Sequence, residues 1–308
     1  MGRWLEDVDP LGRTNACERD AMGRLSRLLR ADGSTVDVHY DAAGQVTGRV
    51  WSAGLERAYA YDAAGRLVAA DGVARAYDAE GRITNAAVNG QNYSATWTPG
   101  GRLASVSYAD AALTVSYAYD PISGRLASVS DALTGTQVEF AYDADGRLVR
   151  QTDSHGGTNE FTHDAAGRVT RIQANPGIDM QYIYDAAGRL LSETRETPKP
   201  AGALLAAGAD VNQYDAAAQL ATPAAAYDAL GRRTADERRA YQWSPDGLLT
   251  NAGGVSVAYD AFGNVVARNG QPLACHPAIG GAPLVDDGTN WYVWTPGGAL
   301  LYVVAQAE

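Results

Sequence analysis

Large side chains recur at every second position in segments such as Val138-Glu139-Phe140-Ala141-Tyr142 and Met180-Gln181-Tyr182-Ile183-Tyr184. That alternation is the period of a β-strand with one packed face. Such a segment ends on an aromatic residue and runs into Asp, two variable residues, Gly, Arg and an apolar residue, as in Tyr61-Asp62-Ala63-Ala64-Gly65-Arg66-Leu67. Asp at the first turn position bonds backbone N–H groups about two residues on, and Gly three residues later accepts a positive φ. The unit therefore predicts the tip of a β-hairpin, a type I turn closing on a left-handed glycine.

Near-copies run through the whole chain. Clear ones begin at Tyr40, Tyr61, Tyr77, Tyr142, His163, Tyr184, Tyr227 and Tyr259, looser ones at Val8, Arg19, Trp97, Tyr119, Tyr214, Trp243 and Trp294. The signature positions are Tyr40, Asp41 and Gly44; Tyr61, Asp62, Gly65 and Arg66; Tyr77, Asp78, Gly81 and Arg82; Tyr142, Asp143, Gly146 and Arg147; Asp164, Gly167 and Arg168; Tyr184, Asp185, Gly188 and Arg189; Tyr227, Asp228, Gly231 and Arg232; and Tyr259, Asp260 and Gly263. From Tyr40 to Tyr184 successive starts lie 21, 16, 20, 22, 23, 21 and 21 residues apart, room for two strands and two turns. A lone hairpin is marginal in water, so each repeat must lean on its neighbours in a stacked sheet, with the Tyr, Asp and Arg residues in rows. A feature present in every unit is scaffold, not a single site.

The expected fold is all-β, built of repetitive antiparallel hairpins in one repeat domain, 1–308. Regular repeats occupy 40–190, a loop insertion falls at about 195–212, and degenerate repeats fill 214–304. The copies at Val8 and Arg19, only 11 residues apart, are degenerate, so the N-terminus is not a specialised cap. Asn89-Gly90 is a hairpin signal, the stretch between Tyr259 and Trp294 an irregular crossing, and the ending soon after a hydrophobic strand leaves an edge that normally needs cover.

Composition refines this picture. Only 3 Phe accompany 17 Tyr and 6 Trp, and Ala is abundant, which favours small residues between aromatic rows over a thick Leu/Phe core. A net charge of −11 without a basic cluster disfavours nucleic acid and anionic lipid as partners. The N-terminal residues lack the basic start and apolar core of a secretory signal, and the apolar stretches 201–209 and 300–305 are too short to span a bilayer. Cys17 and Cys275 leave a disulfide open, although two lone cysteines are more often buried or free.

Candidate chemistry is sparse. His163 stands where other repeats have Tyr, His39 lies in a strand, His155 in a turn, and none has partners at metal spacing. Cys275-His276 is the one pairing that resembles a thiol and its base, but neighbours in an extended segment point to opposite sides. Asp286-Asp287-Gly288 reads as a turn before it reads as a cation site. No phosphate loop, zinc-protease helix or nucleophile elbow occurs, and no cofactor is implied. Trp51, Trp97, Trp243 and Trp294 are candidates for stacking on sugar rings if the sheet is a surface-binding module.

The Tyr-Asp pairs at Tyr40-Asp41, Tyr61-Asp62, Tyr142-Asp143 and Tyr184-Asp185, with Gly-Arg-Leu or its variants following, resemble the Rhs or YD-repeat family from roughly Val8 to Val304. The resemblance implies a sheet spiralling into a hollow shell, as in bacterial Rhs proteins, the shell components of Tc toxins and the YD shell of teneurins. It also implies partners: the remaining shell segments, an encapsulated C-terminal toxin domain released by self-cleavage, and a secretion spike where delivery is by type VI secretion. The chain departs from that pattern in showing no spike-binding or membrane segment, no self-cleavage segment after the repeats and no toxin domain. Asp9-Pro10 and Asp120-Pro121 lie at turn positions inside repeats, so the protease role does not carry over to them. The expected function is a non-catalytic wall segment, exported by a dedicated machine; the alternative is a surface module binding carbohydrate or protein.

Overall fold

The computed structural model describes residues 5–88, 90–108, 112–175, 177–196, 215–217, 219, 225–281 and 283–306. Among them every regular element is a β-strand. The chain forms two compact units, the first holding residues 1–92, 208–277 and 284–289, the second 93–207, 278–283 and 290–308.

In the first unit nine strands, from Leu5–Val8 to Ile83–Val88, follow one another, each antiparallel to the next. Turns therefore alternate between the two ends of the strands. This explains the short spacing at the N-terminus, where the Asp9 turn lies at the end opposite the Asp20 turn. Both are fully formed, with Gly12 at φ 78° and Gly23 at φ 81°, so the first copies are degenerate in sequence only. One face of these strands buries Val36, Trp51, Ala70, Val73, Ala86 and Val88. Later residues of the same unit lie against them: Arg30 donates to the Pro245 carbonyl at 2.5 Å, Arg57 to Asp246 at 2.9 Å, and Arg75 stacks 4.2 Å from the Phe262 ring centroid.

The second unit continues the pattern from Tyr93 to the strand Leu190–Glu196. Its core joins Val106, Val115 and Val129 to Tyr93, Tyr108 and Leu113, all nearly or completely buried. The hairpin formed by Asn290–Trp294 and Leu300–Ala305 covers them: Tyr108 donates to the Tyr292 carbonyl and Tyr117 to that of Trp294, both at 3.1 Å.

The expected crossing between Tyr259 and Trp294 contains short strands at Gln271–Pro272, Ala274–Cys275 and Leu284–Asp286. Of the expected loop insertion, residues 195 and 196 belong to the strand Leu190–Glu196, while 197–212 lie outside the described residues, as do Tyr214 and Asn89. Among the described residues no helix is long and apolar enough to cross a membrane.

Candidate functional site

The repeated motif builds a ladder whose rungs share one geometry. In the turn after Tyr61, the Gly65 N–H donates to the Asp62 carbonyl and the Asp62 N–H to the Arg66 carbonyl, both at 2.9 Å, with Gly65 at φ 79°. The Asp62 carboxylate serves two purposes. Its Oδ1 accepts from the backbone of Ala64 (3.0 Å) and Arg66 (2.9 Å), while Oδ2 accepts from the Arg66 Nε at 2.7 Å. This holds the carboxyl below the usual range: the Arg66 N–H contributes most, partial desolvation opposes it, and the guanidinium adds to the lowering. Asp143 and Asp164 are lowered by the same set of groups in the same order.

The guanidinium then reaches the next rung. Arg66 Nη1 donates to the Asp78 carbonyl at 2.7 Å, and its carbon sits 5.0 Å from the Tyr77 ring centroid, while the Tyr77 hydroxyl returns a bond to the Leu67 carbonyl at 2.7 Å. Asp thus fixes Arg, Arg holds the following Tyr by charge and ring face, and Tyr ties back to the strand behind it. The second unit repeats this: Arg168 bonds the Asp185 carbonyl at 3.0 Å and lies 4.8 Å from the Tyr184 ring, whose hydroxyl bonds the Val169 carbonyl at 2.9 Å.

Variants keep the contacts by substitution. At Trp243 the indole Nε1 takes the hydroxyl's part, donating to the Arg233 carbonyl at 2.8 Å beneath Arg232. Where Gln45 replaces Arg after Tyr40-Asp41, its amide reaches the Gly65 carbonyl at 3.0 Å, and where Asn264 follows Asp260 it bonds that carboxylate at 2.9 Å. In the His163 repeat, Arg147 bonds the Asp164 carbonyl at 3.1 Å.

Two features of the ladder were not read from the sequence. The strand register shifts at the motif's aromatic residue in repeat after repeat, as between Ala60 and Tyr61 or Ile183 and Tyr184. Such bulges sharpen local twist and re-aim the side chain. The other is the Tyr-to-carbonyl bond, whose acceptor is the residue after Gly-Arg in the preceding repeat; the fixed apolar position there is the signal that points to it.

The remaining candidates disperse. Trp51 is 8% exposed, so its ring does not stand out from the sheet as a platform for a sugar; Trp97, Trp243 and Trp294 are half-buried. Cys17 and Cys275 are both free thiols. Burial, reinforced by the Asp260 charge, pushes the Cys275 thiol up, away from a reactive thiolate, and His276 is 1% exposed. Asp286 and Asp287 accept from the N–H groups of Gly288 (2.7 Å) and Thr289 (2.9 Å), the turn the sequence predicts.

The sequence matches the family described as Teneurin YD-shell over residues 69–199 and the RHS Repeat family over residues 40–76. No curated protein sequence matches it significantly. Among solved structures it is similar to the TcdB2–TccC3–TEV crystal structure, with a TM-score of 0.50 at 15% identity over 91% of this chain and 19% of that one. TcdB2–TccC3 without its hypervariable C-terminal region matches at 0.47 and 14% identity over 92% and 19%, and the Photorhabdus luminescens Tc holotoxin pore at 0.39 and 12% over 94% and 21%. The chain spans about a fifth of the length of these solved chains.

Proposed function

Because the chain belongs to the Rhs/YD-repeat family, matched over residues 40–199, we propose that it is a wall segment of a β-shell enclosing a toxic domain used in competition between bacteria. The observation that carries this reading is the ladder. It spends the motif's Asp, Arg and Tyr on joining one repeat to the next, and this is the chemistry of a wall that grows by addition, not of a site that turns over substrate. On this reading the partners are further shell segments, the enclosed toxin domain and a secretion spike such as that of type VI secretion, and the protein is no enzyme.

Adhesion to glycans through the tryptophans is the weaker reading, since Trp51 is buried and Trp243 is bonded into the ladder. The test is to read the DNA on both sides of this coding sequence. Repeats continuing to a self-cleavage segment and a variable domain are expected. Unrelated sequence on both sides would sink the shell reading.

A further inference from the structure

The strands Leu25–Leu29, Thr35–Tyr40 and Val46–Trp51 turn Leu28, Val36, Val38 and Trp51 toward a cavity of about 330 Å³ in the first unit. Its remaining wall includes Arg30, Arg49 and Asp246. An apolar floor with a few placed polar groups is the composition of small-molecule sites, whose volumes run from roughly 300 to 1,000 Å³.

The charges around it do not balance. Arg49 pairs in register with Val38 on one side and Arg57 on the other, so two arginines leave neighbouring strands on the same face. Arg57 is neutralised, 2.9 Å from Asp246 and 3.8 Å from Asp71. Arg30 bonds the Pro245 carbonyl. Among the described residues the Arg49 side chain takes part in no hydrogen bond or ion pair. With like charge beside like charge, the uncommitted guanidinium of Arg49 at the mouth of an apolar cavity is free to take an anion.

We propose that this cavity binds an aliphatic monocarboxylate of medium length, its chain on Leu28, Val36, Val38 and Trp51 and its carboxylate on Arg49. The planar guanidinium matches a carboxylate through two parallel N–H···O bonds. A phosphate dianion would need a second uncommitted cation, and the neighbouring arginines already have partners. This site does not rest on the shell reading, and neither outcome below bears on that reading.

Octanoate, octanol and inorganic phosphate titrated calorimetrically into the intact chain test it. Octanoate is expected to bind at least about tenfold more tightly than octanol. Arg49→Gln should bring octanoate down to the level of octanol without moving Tm, since the residue is exposed. Val38→Phe, which fills the cavity, should abolish binding of both. Equal binding of octanoate and octanol, octanoate binding that survives Arg49→Gln, phosphate competing as well as octanoate, or no binding at all overturns the proposal.

Discussion

Within the second unit, two groups of strands carry the same motif and meet different fates. In Leu103–Tyr108, Leu113–Tyr119 and Leu126–Asp131, the side chains of Val106, Val115 and Val129 are 0% exposed. In Leu190–Glu196 every residue is exposed, and Leu191 retains 64% of its surface. The ladder is intact in both: Arg102 lies 5.5 Å from the Tyr119 ring and Arg168 4.8 Å from that of Tyr184. What separates them is the hairpin Asn290–Ala305, which lies on the first group through Tyr108, Tyr117 and Tyr302. The motif makes the sheet, and a covering element makes the core.

The strongest way to break this contrast is a charge in each region. Val115→Asp is expected to destabilise the unit by about 4 kcal/mol or more, because the carboxylate would be buried without a partner. Leu191→Asp should stay within about 0.5 kcal/mol, as surface changes do. Thermal unfolding of the two variants decides it, and similar losses would mean that the edge strand is covered in solution.

A finer contrast compares two tyrosine hydroxyls. Tyr302 donates at 2.8 Å to Asp131, a carboxylate only 3% exposed, and Tyr302→Phe should cost about 1.5–3 kcal/mol as the loss of a bond to a charged group. Tyr184→Phe removes a rung bond to a neutral carbonyl and should cost about 0.5–1.5 kcal/mol. Equal costs from denaturant titration would show that the cover adds nothing beyond an ordinary rung.

The sequence is legible to the extent that its information is local. Alternation and the Asp-x-x-Gly turn disclose the hairpins, because Asp62 and Gly65 act within five residues of each other. The rows of Tyr, Asp and Arg follow from periodicity. The burial of Val115 does not: it depends on Tyr292 to Tyr302, far along the chain, and nothing in the repeat around Val115 distinguishes it from the repeat around Met180, which stands at the same phase, four residues before its Tyr, and is only half-buried. The same reason misplaces Trp51. An aromatic residue outside the Tyr-Asp position looks like an exposed platform, yet Trp51 is only 8% exposed and lines a cavity together with Val36 and the later residue Asp246. Asp286-Asp287-Gly288, where the N–H groups of Gly288 and Thr289 bond the carboxylates two residues back, is read correctly as a turn.

Turn glycines should respond alike in the two regions. Gly135 (φ 72°) follows the covered strands and Gly188 (φ 84°) precedes the exposed one, and a Cβ meets nothing within 4 Å at the first and only the Arg168 Nη1, at 3.7 Å, at the second. With no clash to separate them, the cost is the left-handed backbone alone, roughly 1–2 kcal/mol for Gly→Ala at either site. A clear difference in Tm between the two variants would show that burial and backbone strain are coupled here.

Acid should bring the smallest difference between the regions, because both lean on the same carboxylates. Asp143 and Asp164 are lowered from 3.8, chiefly by the N–H of the following Arg, and Asp131 is lowered by Thr134 and Tyr302 against an opposing desolvation. A carboxyl held below its unfolded value stabilises the fold fully above that value, and the contribution is lost as pH falls through the folded one. Stability should therefore be level down to about pH 4 and then decline, with Asp236, lowered to about 2 mainly by the Tyr241 hydroxyl, among the last to titrate. Carboxyl NMR titration would place Asp143 and Asp164 below 3.8 together. Asp164→Asn should remove one step from the acid limb of Tm against pH while leaving the limb of the covered strands unchanged. An acid limb that Asp164→Asn leaves untouched would mean that the ladder carboxylates contribute nothing to stability, and that the geometry shared by every rung sets register alone.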